Sequence, residues 1–155
     1  MKKFVMAMLL LSMLSIPAMA AESVALPKGY AKWEKSKQKV VTDKNSLFYG
    51  IHYVYVDPKA MKTYKSGGVY PEGSRFVVEF FNIKEAAGKP VPGKKSMIVL
   101  MKKDKKQTET GGWLFAGFTA TGKPSGLDPV KTCFGCHLRD AKDRDYVIST
   151  YSDFK

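Results

Sequence analysis

Cys133-Phe134-Gly135-Cys136-His137 holds the only two cysteines of the chain, three positions apart, with one of its two histidines immediately behind them. Thiols at that spacing can add across the two vinyl groups of one porphyrin to give thioether links. The adjacent imidazole then lies under the ring, where a nitrogen can bind iron as the proximal ligand. C-x-x-C-H is the attachment signature of a c-type haem. The same spacing suits a thioredoxin-like redox pair, but such pairs open a helix early in a βαβ unit, and no such unit precedes this one. The expected cofactor is one haem c, covalent through Cys133 and Cys136, with His137 on the metal.

Attachment of this kind takes place outside the cytoplasm, and the N-terminus carries a matching signal. Lys2 and Lys3 form a charged start, Phe4 to Ile16 is apolar apart from serines, and Ala18-Met19-Ala20 reads as a cleavage site. The alternative is an uncleaved anchor, but about 13 apolar-rich residues fall short of the roughly 20 that span a bilayer. The expectation is therefore a leader over residues 1–20 cleaved after Ala20, periplasmic localisation, no stable membrane insertion, and one haem-binding domain over residues 21–155.

The 155-residue chain has a formal net charge of +12. Export argues against nucleic acid as the reason for that charge. The lysines are scattered, with small clusters at Lys94-Lys95 and Lys102 to Lys106. A solvated surface accounts for them, with docking of an acidic redox partner protein as the second reading.

The elements that must position the motif follow from periodicity. Pro27 to Gln38 reads as a short amphipathic helix with Tyr30 and Trp33 on one side. Ser46 to Val56 is aromatic and β-branched and reads as a strand, apolar on both faces and so covered on both sides, or by a cofactor on one. Asp57-Pro58 starts a helix that Gly67-Gly68 stops. Pro71-Glu72-Gly73 is a turn and Arg75 to Ile83 a second strand, with Phe76, Val78 and Phe80 on one side and Arg75, Val77, Glu79 and Phe81 on the other. A loop through Gly88, Pro90, Pro92 and Gly93 leads to a third strand near Ser96 to Lys102. Asp104 to Thr110 reads as a hairpin loop and Trp113 to Ala120 as the returning strand. After a loop over Gly122 to Asp128, Asp128-Pro129 opens the helix that carries the motif. The fold class is α+β, an antiparallel sheet of four or five strands with short helices.

The position of the motif narrows the choice among c-type haem proteins. Only 18 residues follow His137 and none is methionine, so the usual small electron carrier, with an early motif and a later methionine ligand, does not fit. Long amphipathic helices for a four-helix cytochrome are absent from the pattern. From Leu26 to Tyr151 the chain resembles the cytochrome P-460 family, which includes the cytochromes c′-β. The resemblance rests on Gly29-Tyr30 with Trp33, Val54-Tyr55-Val56-Asp57-Pro58, Tyr64, Pro71-Glu72-Gly73 and Glu79. It continues through Thr110-Gly111-Gly112-Trp113, the late Cys133-x-x-Cys136-His137, and Lys142-Asp143-Arg144-Asp145-Tyr146-Val147. It implies a homodimer and an antiparallel sheet packed on the haem, the sheet supplying the distal pocket.

Enzymatic members of that family oxidise hydroxylamine and nitric oxide, and carry a porphyrin-linked lysine just before the glutamate that Glu79 resembles. Here that position is Val78, and no lysine lies between Lys65 and Lys84. The position of a further distal carboxylate falls near Val99, and that of an arginine on the first strand is His52. Loss of lysine and carboxylate removes groups that would move protons during substrate oxidation. The resemblance is then to the c′-β branch, whose phenylalanine-capped pocket takes nitric oxide or carbon monoxide for sensing, storage or detoxification. An oxidoreductase acting on hydroxylamine or nitric oxide, and a plain electron-transfer cytochrome, are the alternatives.

The candidate distal residues are Phe48, His52, Phe76, Val78, Phe80 and Val99. The phenylalanines cap the distal side or are ordinary sheet core. His52 is a sixth ligand, a hydrogen-bonding group for bound ligand or propionate, or a structural residue. Met97 and Met101 are possible sixth ligands or core. Arg75 and Arg144 neutralise propionates or sit on the surface. Tyr30, Trp33 and Trp113 are structural anchors.

Overall fold

A seven-residue strand from Gly50 to Val56 is the most buried of the sheet's strands and is paired along both edges. The computed structural model describes residues 24–128 and 130–155. The expected leader and its cleavage site lie outside the described residues. Six strands form one antiparallel sheet: β1 (Glu34–Lys35), β2 (Lys39–Val41), β3 (Gly50–Val56), β4 (Arg75–Ala86), β5 (Lys89–Lys103) and β6 (Trp113–Thr119). β3, β4, β5 and β6 are neighbours in that order, and β1 and β2 share the outer edge of β3. Two helices complete the frame, α1 (Pro58–Ser66) and α2 (Gly135–Ala141).

Four expectations need correction. The helix expected over Pro27 to Gln38 is only a 3₁₀ turn at Tyr30–Lys32 followed by β1 and the approach to β2. The outer edge of β3 would otherwise leave its backbone groups unpaired. Glu34 pairs with Val56, Lys39 with His52, and buried Ser36 bridges the gap, donating its N–H to the Val54 carbonyl and accepting the Val54 N–H on Oγ, both at 2.9 Å. These two short strands take the sheet from the expected four or five strands to six.

β3 also begins at Gly50 rather than at Ser46. Residues 46–49 turn instead, and at Gly50 (φ 135°) any Cβ would run into the Phe81 carbonyl, so glycine is required where the chain enters the sheet.

The stretch expected to be a loop through Gly88, Pro90 and Pro92 is strand. β4 and β5 run past the ends of their neighbours as a two-stranded arm closed by Ala87 (φ 49°) and Gly88 (φ 70°), the paired positive φ values of a tight hairpin turn. Among the described residues no further strand pairs with either edge of the arm, so prolines are tolerated there, and the Pro90 carbonyl accepts the Gln38 Nε2 donor at 3.0 Å.

The motif helix does not start cleanly. Val130–Phe134 forms a widened, π-type turn that passes directly into α2, and the Asp128 side chain accepts the Val130 and Lys131 N–H groups at 3.0 and 3.1 Å.

Elsewhere local chemistry acts as expected. Asp57 caps α1 through the Ala60 N–H at 2.7 Å while its other oxygen takes Arg75 Nε at 2.9 Å. Both sheet faces are covered. One packs α1, the motif segment and the C-terminal tail over Val54, Val56, Phe76, Met101, Trp113 and Phe115. The other packs the N-terminal segment over Tyr55, Val77, Ile98, Leu100 and Phe118.

Candidate functional site

Cross-strand register turns scattered side chains into rows on the first of these faces. Val56, Phe76, Met101 and Phe115 form one row, Val54, Val78, Val99 and Gly117 the next, and His52, Phe80 and Met97 a third. Side chains two apart on a strand share a face, so each row is fixed once the register is. Under them lies a cavity of about 270 Å³ whose walls are mostly apolar.

The motif segment closes the cavity from below. Cys133 is buried in the widened turn and lines the cavity, where burial raises its thiol pKa. Cys136 is partly buried on α2 and is not among the lining residues; both thiols are free. His137 lines the cavity with its ring edge-on to Phe115, centroids 4.8 Å apart. Its Nδ1–H donates to the Tyr146 carbonyl at 2.6 Å. That bond selects the tautomer whose Nε2 carries a lone pair. Burial, the larger influence, pulls the His137 pKa below its ordinary value and the bond to the carbonyl opposes it, so the ring favours the neutral, metal-binding form.

The opposite end of the cavity holds the few polar groups. His52 sits opposite Lys39 in the sheet, and both line the cavity with Ser46 and Ser149. Lys39 Nζ is held by Asp153 Oδ2 at 2.8 Å. His52 Nδ1 is buried without a hydrogen-bond partner. Burial first, and the Lys39 ammonium second, push the His52 pKa down against the pull of Asp153, so the ring stays neutral near pH 7. Phe48 and Phe80 stack at 5.4 Å beside it, and Phe80 also contacts the His52 ring at 5.3 Å.

The structure thus brings Phe48, His52, Phe76, Val78, Phe80, Val99, Cys133 and His137 around one space and leaves Cys136 off its wall. Met101 lines it too; Met97, in the third row, does not. Arg75 is on the other face, paired with Asp57 and lying over the Trp33 ring at 4.9 Å, so it takes a structural role. Arg144 donates to the Asp140 carbonyl at 2.9 Å. Sequence reasoning missed Phe115, although it shares strand parity with Trp113. It also missed Lys39, Val41 and the tail residues Val147 to Ser149, which no periodicity marks because loops and edge strands carry them.

Among the described residues no carboxylate lines the cavity, and no three His, Cys, Asp or Glu side chains converge to hold a bare metal ion. One imidazole with a free Nε2 in an apolar slot suits a metal that arrives with its other ligands already in place, as iron does in a porphyrin. The donor set fits that group.

A sequence profile described as Cytochrome P460 matches residues 27–149 of the chain. No curated protein matches it.

Proposed function

The chain belongs to the cytochrome P460 family, which makes it a haem-binding cytochrome, and from that premise we propose a periplasmic gas-binding role. In this reading Cys133 and Cys136 would hold one haem c through thioether bonds, His137 would bind its iron, and the ligand taken up would be nitric oxide or carbon monoxide. The observation that carries it is the wall of the cavity: an imidazole at either end, phenylalanine and valine along the sheet, and no carboxylate among the described residues that line it.

When bound, the haem iron supplies a coordination position for a diatomic ligand. The chain's own residues do the rest. His137 holds its Nε2 ready because Tyr146 keeps the proton on Nδ1. Phe48 and Phe80 exclude water and bulky ligands from the sheet side. Val78 and Val99, facing each other across β4 and β5, offer no group that could take a proton from a substrate nitrogen. Away from the end lined by His52, Lys39, Ser46 and Ser149 the wall offers no donor to polarised bound dioxygen, whereas nitric oxide binds ferrous haem without that help. Export, a homodimer, and an acidic partner that meets the lysine-rich surface belong to the same proposal.

Absorption spectra of the purified holoprotein, ferric and ferrous, with and without nitric oxide and carbon monoxide, test it. A five-coordinate high-spin haem that takes both gases in the ferrous state is expected. A six-coordinate low-spin haem in both oxidation states overturns the reading. Mass spectrometry of the haem peptide checks the attachment, with two thioethers and no lysine bond expected.

A further inference from the structure

The carbonyl that receives the His137 proton belongs to an unusual stretch of backbone. Asp145 (φ 48°) and Tyr146 (φ 64°) are consecutive non-glycine residues in the left-handed region. Each carries a steric penalty that surrounding contacts must offset.

Those contacts are specific. Asp145 Oδ2 accepts the Tyr70 N–H at 2.9 Å, and Oδ1 accepts Lys103 Nζ at 2.6 Å. The two charged side chains are only 10% and 11% exposed. The Lys103 ammonium also lies over the Trp113 ring, 4.8 Å from its centre. Tyr146 N–H donates to the Ala141 carbonyl at 2.7 Å, tying the turn to the end of α2. The strained pair is therefore clamped from β5, from the segment before β4, and from the helix that carries His137.

We infer that Asp145, locked by Lys103, is a positioning residue: it fixes the Tyr146 carbonyl against His137 Nδ1 and so sets how strongly Nε2 donates to haem iron. The inference rests on the haem reading above. The physical basis is the donor bond itself. Drawing the Nδ1 proton toward a carbonyl raises the basicity of the other nitrogen, as outer partners of metal-bound imidazoles do. A buried ion pair suits this task because its geometry is narrow, and losing either partner leaves an unpaired charge.

The test uses the ferrous holoprotein, with the iron–histidine stretching band read by resonance Raman and the reduction potential by redox titration. Asp145→Asn and Lys103→Met are expected to move the band to lower wavenumber and the potential in the positive direction. Lys103→Arg keeps the ion pair and should match wild type in both. The double variant Asp145→Asn/Lys103→Met buries no unpaired charge, so it keeps the test open if either single variant fails to fold. It should show the same shifts. Variants that lose thermal stability but keep the wild-type band and potential overturn the inference alone. A wild-type protein with no iron–histidine band overturns the haem reading and the inference together.

Discussion

Val78 and Glu79, adjacent in the chain, stand on opposite faces of β4: Val78 lines the apolar cavity, and Glu79 is buried on the far side among Tyr30, Tyr55 and Lys95. One residue of strand parity separates the valine row of the pocket wall from a carboxylate that accepts hydrogen bonds from Tyr30, Tyr55 and Lys95. Register with Val54 and Tyr53 on β3 fixes which is which. A slip of one residue would exchange them.

Glu79→Gln should lower stability by roughly 2 kcal/mol at pH 7, the size expected for weakened charge-assisted hydrogen bonds. The visible spectrum of the holoprotein should stay unchanged. Burial alone would raise the Glu79 pKa, but hydrogen bonds from Lys95, Tyr30 and Tyr55 together bring it below the ordinary 4.5. The stabilisation is thus complete above that value and fades as the pH falls through the folded pKa. Urea midpoints measured from pH 7 downward should converge for variant and wild type; a gap that ignores pH contradicts the assignment.

His52→Leu should stabilise the protein by about 1 kcal/mol at pH 7, because it removes a buried nitrogen with no partner. The advantage should widen in acid. The His52 pKa is depressed in the fold, so the unfolded chain gains a proton below 6.5 that the folded chain resists, and wild-type stability falls with pH in that window. Spectra should remain high-spin. A change from low-spin to high-spin on substitution would instead identify His52 as a ligand.

Phe48→Ala should open the capped end of the cavity. Phe48 is only partly buried, so the cost should be about 1–2 kcal/mol, below the ~3–5 kcal/mol of a fully buried Phe→Ala change such as Phe80→Ala. Affinity of the ferrous protein for an alkyl isocyanide should rise about tenfold or more, equivalent to ~1.4 kcal/mol of relieved crowding. Carbon monoxide affinity should change far less. Equal gains for both ligands would mean that Phe48 does not sort ligands by size.

Gly111→Ala should cost about 2–4 kcal/mol, combining overpacking with left-handed strain. Gly111 has φ 65° and receives the edge of the Tyr146 ring where a Cβ would sit. Gly126→Ala is the control: φ is 71° but nothing lies within 4 Å, so only the strain of about 1 kcal/mol remains. Thermal or urea unfolding of the pair separates the two terms. Similar losses at both glycines would show that Tyr146 is not wedged there.

The sequence carried the site more fully than the frame. Strand alternation at Phe76, Val78 and Phe80 placed those side chains on one face, and Asp57-Pro58 with Gly67 delimited α1 within a residue. The N-terminal segment went the other way. Its helix-like spacing of Tyr30 and Trp33 was outweighed by the unpaired edge of β3, a demand made by distant residues. Pro90 and Pro92 likewise argued for a loop, and only edges that pair with no further described strand make a strand acceptable there.

What depends on residue type and short spacing was legible in the chain alone: two thiols, an imidazole after them, and the absence of lysine between Lys65 and Lys84. Chemistry that depends on convergence was settled by folding. Lys39, Phe115 and Ser149 meet in one cavity from three separate elements, and Tyr146 meets His137 across a left-handed turn clamped by Lys103. A one-dimensional pattern records which way a side chain faces along its own strand or helix. Which elements face each other is decided only when backbone pairing and burial are satisfied for the whole chain at once.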